Sequence, residues 1–278
     1  MAYPFLTPVN TVLNVAAGGT ATIQVDPTGT FYGLRPYYTR TGVAATPAEI
    51  ASDIKQVRVY LDSNTQWELT GAQLQAINKA HGINPSDGEI PLWFTEPWRT
   101  TEAAEDLKAW GMLGISQFSV EIDIDAAATN PGLTCLQYKT PNPAQLGEIR
   151  KFKRQTVQVS GTGDLVIPNL TRNERQLALH CNTTNISNIK VKVAEIEQLN
   201  MSPTRLHSIA AEQGYIPQTG WTHIAFDHRN RILESLDPFI LQQNGTFPPR
   251  APLAWDVTLN MSVAANFVMV KELMGPRD

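Results

Sequence analysis

Between Ile54 and Leu61 apolar and polar residues alternate, with Val57, Val59 and Leu61 on one parity and Arg58 and Tyr60 on the other. Successive side chains of a strand point to opposite faces, so this run predicts a strand with one face buried and one wet. Two later runs alternate in the same way, FSVEIDI from Phe118 and WDVTLNMSV from Trp255. Thr70 and Ser202 each open a different pattern, in which Leu74 and Ile77, or Leu206 and Ile209, stand three apart and a glycine follows at Gly82 or Gly214. A hydroxyl residue at the start accepts from an otherwise unpaired N–H and a glycine at the end takes the left-handed turn, so both stretches predict short capped helices. Pro203 fits the first helical position of the second, where no N–H is missed.

These patterns occur twice at one spacing. Laying Ile54 on Ile186, 132 positions on, superposes Val57 on Ile189, Val59 on Val191, Leu61 on Val193, Trp67 on Leu199, Leu69 on Met201, Leu74 on Leu206 and Gly82 on Gly214. The same shift sets Leu92 and Phe94 on Ile224 and Phe226. Each half therefore predicts strand, capped helix, glycine stop and strand in one order, the mark of a duplicated unit.

Elsewhere Thr, Val, Asn, Pro and Gly dominate and short apolar runs are separated by turn residues, which predicts β-sandwiches. A chain of 278 residues suits two domains. Pro141 and Pro143 break the chain between the copies, so the expected boundary lies near Gly147, giving domains 1–146 and 147–278. The fold class expected is all-β, two tandem sandwiches with a short helical insertion in each.

Charged residues make up only 17% of the chain, which is poor for the surface of a soluble monomer and points to surface covered by partners. The net charge of −4 gives no basic stripe for neutralising phosphates, so direct nucleic-acid binding is not expected. The local run Arg150, Lys151, Lys153, Arg154 reads as solvated or as pairing across an interface. Cys135 and Cys181 stand far apart and read as buried, reduced thiols. No window approaches the about 20 apolar residues that span a bilayer, and no leader pattern opens the chain, so a cytoplasmic protein is expected.

Catalytic motifs are missing: there is neither a phosphate-wrapping loop ending in Gly-Lys-Ser/Thr nor a G-x-S-x-G nucleophile turn. No catalytic residue and no cofactor is therefore assigned. His180, His207, His223 and His228 could ligate a metal, but their spacing gives no ligand pattern and they read as surface or interface residues. Glu121, Asp123 and Asp125 project from one face of a strand, where three like charges repel. A structural calcium could offset them; the more ordinary arrangement is Lys or Arg on the neighbouring strand. Trp93, Trp98 and Trp110 could stack sugars in a groove, or pack in a core or subunit interface. Tyr37 and Tyr38 read as a loop packing against a neighbour.

Three stretches carry a family resemblance: NVAAGGTATIQ from Asn14, IKQVRVYLDS from Ile54 and AWGMLGISQFSVEIDIDAAATNPGL from Ala109. They resemble the major coat protein of the corticoviruses, bacteriophages with an internal membrane, and lie in the same order as in that family. The resemblance implies a double jelly roll, homotrimers of pseudo-hexagonal outline, and an icosahedral shell around a lipid vesicle. It implies neighbouring capsomers, vertex or spike proteins and membrane proteins as partners, possible contact with the lipid itself, and assembly in the cytoplasm of a host bacterium. The chain termini and the segment from Tyr37 to Pro47 are the expected interlocking or membrane-facing pieces. A carbohydrate-binding sandwich of a spike or tail is the rival reading.

Overall fold

The computed structural model describes residues 4–99, 108–168, 170–171, 174–226, 236, 239–240, 251–252 and 254–278. They divide into two compact units, 1–153 with 276–278, and 154–275. The division falls seven residues beyond the expected boundary, inside a strand that runs through Ile149–Val157.

In the first unit the strands are β1 (Phe5–Pro8), β2 (Thr11–Leu13), β3 (Thr20–Val25), β4 (Thr30–Arg40), β5 (Val43–Ala44), β6 (Ile54–Leu61), β7 (Asn64–Leu69), β8 (Leu92–Trp93), β9 (Trp110–Gly111), β10 (Phe118–Ile124), β11 (Pro131–Thr140) and the start of β12 (Ile149–Val157), with helices α1 (Pro47–Asp53) and α2 (Gly71–Ala80). One sheet has the order β1-β11-β4-β5, with β8 and β9 also on β4; the other runs β2-β3-β10-β6-β7. Alternation buries Val57, Val59 and Leu61 of β6 with Val120 and Ile122 of β10. Phe31, Phe94, Trp110 and Phe118 close over them with Trp67, whose ring stands edge-on to Phe94, Trp110 and Phe152.

The second unit contains β13 (Gly163–Val166), β14 (Arg175–Cys181), β15 (Ile186–Val193), β16 (Ile196–Met201), α3 (Pro203–Glu212), β17 (Thr222–Ala225), β18 (Phe239–Ile240), β19 (Ala251–Pro252), β20 (Trp255–Met261) and β21 (Phe267–Gly275). Its sheets are β17-β14-β21 and β13-β20-β15-β16, and β18 pairs with β19. Ile189, Val191, Val257, Leu259, Trp255 and Met269 are at the centre of its core.

The duplication extends to backbone details that a hydrophobic pattern does not encode. The β6–β7 and β15–β16 hairpins both turn through two residues of positive φ, Asp62 and Ser63 in one, Ala194 and Glu195 in the other, the twist-matched I′ geometry. Both carry a bulge at the same place: pairing skips Gln66 between Thr65 and Trp67, and Gln198 between Glu197 and Leu199. Thr70 then accepts from the Gln73 N–H, and Ser202 from the Arg205 N–H. Past the helices Gly82 and Gly214 take φ of 78° and 82°, and the next residue's N–H returns to Asn78 O or Ala210 O.

Two expectations are corrected. Tyr37 to Pro47 is not one irregular loop: Tyr38 is a buried β4 residue donating to Asp53 at 2.8 Å, and Arg40 pairs with Asp53 and Glu49. A strand end, a tight turn at Thr41-Gly42 and the capping box of α1, in which Thr46 and Glu49 exchange hydrogen bonds, account for the segment. Nor is the basic run solvated throughout: Arg150 and Lys151 are buried and Lys153 half-buried, and only Arg154 is exposed.

Ala194 and Glu195 lack the residue types a I′ turn favours. Replacing them by Asn and Gly is expected to stabilise the protein by about 1 kcal/mol, read as a higher urea midpoint; an unchanged midpoint would mean that the turn carries no strain.

Candidate assembly surface

Glu121 and Asp123 of β10, and Asp125 just past its end, are not left to repel. Arg58 on the adjacent β6 reaches Asp123 at 2.7 Å and Glu121 at 3.2 Å, and Lys55 pairs with Asp125. Thr20 donates to Asp123, Tyr60 to Glu121 and the Ala127 N–H to Asp125. The Lys55 ammonium and that N–H hold the Asp125 carboxyl below its ordinary value. Cations on the neighbouring strand thus supply the offset for which calcium was the other candidate. Among the described residues no group of three or more His, Cys, Asp or Glu side chains is placed to hold a metal. Removing Arg58 by Arg58→Ala is expected to cost about 1 kcal/mol, while a chelator should leave the thermal midpoint of the unmodified protein in place; a fall on chelation would establish a bound cation.

Of the histidines read as surface or interface residues, His180 and His223 are buried and His207 is half-buried, so the surface reading is corrected for the first two. His180 and His223, opposite each other on β14 and β17, are buried, with their Nδ1 atoms 2.9 Å apart. His180 Nε2 lies 2.9 Å from the buried Glu272 carboxyl, so its ring bridges His223 and Glu272. Tyr215 approaches the same atom of His180, Trp221 stacks on His223, and His207 of α3 accepts from the His223 N–H at 3.1 Å. The remaining histidine, His228, lies outside the described residues. Burial holds His207 below the ordinary histidine value, so the unfolded chain takes up its proton first. The stability this gives is complete above the unfolded pKa of about 6.5 and is lost as the pH falls from there through the lower folded value. Urea midpoints should therefore drop from pH 7.5 to pH 5.5, and His207→Gln should shrink the drop.

Burial likewise settles the remaining candidates. It pushes both thiols, Cys135 and Cys181, up to about 12, so they stay protonated. Trp110 stacks on Phe94 at 4.0 Å in the core, Trp98 stacks on His81 with the Arg150 guanidinium over its ring at 4.9 Å, and Trp93 packs against Tyr138 with Arg35 over its ring. These tryptophans serve packing, not a shared open groove.

The two copies differ in how far they cover the flank formed by the bulged hairpin and its helix. In the first, Trp67 and Leu69 of β7 are each 1% exposed and seven of the ten residues of α2 are buried, with α1 packed beside it. The β7 edge is closed by β12, where Phe152 pairs in parallel with Trp67 and the Trp67 indole N–H donates to Arg150 O at 2.7 Å. Residues 276–278 complete the closure: Asp278 takes Lys151 and Lys153, Asn64 donates to Asp278 O, and Arg277 pairs with Asp62. In the second copy the counterparts Leu199 and Met201 are half-exposed, Ile196 is 64% exposed, and only Leu206 of α3 is buried. Four residues separate β14 from β15, so this copy has no equivalent of α1.

Two sandwiches in tandem, each carrying the same bulged hairpin and capped helix, define the class of the double jelly-roll capsid proteins. Models of the viral coat protein P2 N-terminal and C-terminal domains match residues 6–138 and 149–273. The chain belongs to the viral coat protein P2 family. Its fold is that of the major capsid protein P2 from bacteriophage PM2, with a TM-score of 0.84 at 19% identity over 99% of this chain and 98% of that one. The STIV MCP follows at 0.68 and 12%, covering 99% and 97%, and the PBCV-1 virus capsid at 0.64 and 8%, covering 99% and 94%. None of the curated proteins compared with the sequence matches it.

Proposed function

We propose that this coat protein closes into homotrimers whose six jelly rolls form a quasi-sixfold tile, and that these tiles build an icosahedral shell around an internal membrane. The observation that carries the reading is the repeated hairpin–bulge–helix module, one per half of a chain whose two halves match the P2 domain models. Two similar blocks in each of three subunits give six similar sectors, and a closed ring satisfies identical head-to-tail interfaces without leaving one exposed. The low charge content and the apolar flank of the second unit suit a permanent interface. In this reading the protein acts by assembly and performs no catalysis, and assembly takes place in the host cytoplasm. Its partners are its own copies, vertex or spike proteins and membrane proteins of the virion.

Native mass measurement tests this. The expected species is three subunits of 30.7 kDa, or a larger shell. A chain that stays single at high concentration would overturn the reading, and glycan binding by such a monomer would favour the carbohydrate-binding rival.

A further inference from the structure

We infer that β16 is a docking edge for a second copy of this chain, and that the strand it receives is β1 of that copy. The inference rests on the assembly reading and names its contact. It follows from comparing each edge with its counterpart in the other half of the molecule.

A second internal correspondence, 144 positions apart, covers the beginning of each copy. Ala21 pairs with Ile122 on β10 as Leu165 pairs with Leu259 on β20, and Gly19 falls on Gly163. Thr11 pairs with Gln24; at the counterpart positions Gln155 donates from its side chain to Pro168 O at 3.0 Å. Carried back without gaps, this shift sets Phe5–Leu13 on Ile149–Val157, so the N-terminal strands are the first copy's version of β12.

In the first unit β12 lies parallel along β7, with Phe152 opposite Trp67. The counterpart of β7 is β16, and the counterpart of Phe152 is Pro8. Among the described residues β1 pairs only with β11, and β16 only with β15. Each is the last strand of its sheet, with a row of backbone donors and acceptors turned outward. The contact that pairs β12 with β7 inside one chain thus has its counterpart in β1 and β16, strands that one chain does not join.

The exposed side chains agree. Phe5 and Leu6 are 40% and 50% exposed, and Ile196 stands out beside the half-covered Leu199 and Met201. Adding β1 to β16 would extend the sheet by strand addition and cover those apolar residues. Around a ring, each chain would give β1 to one neighbour and receive β1 from the other, a head-to-tail contact that closes.

Carried across, Phe152 opposite Trp67 becomes Pro8 opposite Leu199, and one step back along both parallel strands brings Thr7 beside Gln198. Parallel neighbours about 4.8 Å apart admit a disulfide. In the full-length Thr7→Cys/Gln198→Cys variant, mild oxidation of the native oligomer should give covalent dimers and trimers that reductant releases, whereas either single variant should stay single-chain. Independently of any substitution, amide exchange at residues 196–200 of the unmodified protein should slow about tenfold or more on assembly. An oligomer by native mass that neither cross-links nor protects these amides would overturn this inference and leave the assembly reading standing. Amides already protected in the dissociated chain would mean that the chain covers β16 itself, which also overturns it. A protein that never associates would sink the assembly reading first.

Discussion

A β-sheet has two edges, and the backbone groups along each must find partners or water. The two copies of one module meet this constraint differently. The first closes the outer side of its bulged hairpin with the connecting strand and the last three residues, and Trp67 and Leu69 become fully buried as a result. The second keeps the same turn, bulge and helix cap but leaves Leu199, Met201 and most of α3 only partly covered. A permanent assembly accounts for such an arrangement, since surface that would be a liability in a monomer becomes interface.

The first unit buries charged groups at this edge and elsewhere, and sets opposite charges or hydrogen-bond partners beside them. Lys151 loses its water but gains the Asp278 carboxylate and Pro276 O. Asp53 sits under Tyr38 and Arg40, and Glu96 takes both Lys108 at 2.6 Å and Arg99 at 2.8 Å. Burial works against ionised Glu96, but the two cations hold its carboxyl below the ordinary value. Removing one partner of such a group strands the other in a poorly solvating interior, so these contacts fix the fold more than they add to its stability.

Where charge stays wet, pairing across strands is enough. The carboxylate face of β10 is matched by Arg58 and Lys55 on or beside β6, a register that puts opposite charges side by side. The histidine group differs in kind: His180, His223 and Glu272 come from three strands of one sheet and bond to one another in the interior of the second unit.

By itself the sequence determined the repeated order of elements, because period-two burial and helix capping are local rules written in adjacent residues. Val57, Val59, Leu61, Thr70 and Gly82 announce a strand, a cap and a stop, and the shift of 132 announces the second copy. It also determined which residue types could neutralise Glu121, Asp123 and Asp125, without choosing between a metal and a neighbouring strand. Tertiary structure alone decided which cations stand beside them, because strand register places Arg58 next to Glu121 and Asp123. It also decided the burial of His180 and His223, the helix hidden in the segment after Tyr37, and the closure of β7 by residues as distant as Asp278. Those contacts join residues far apart in the chain, and no local pattern of hydrophobicity records which distant partners meet.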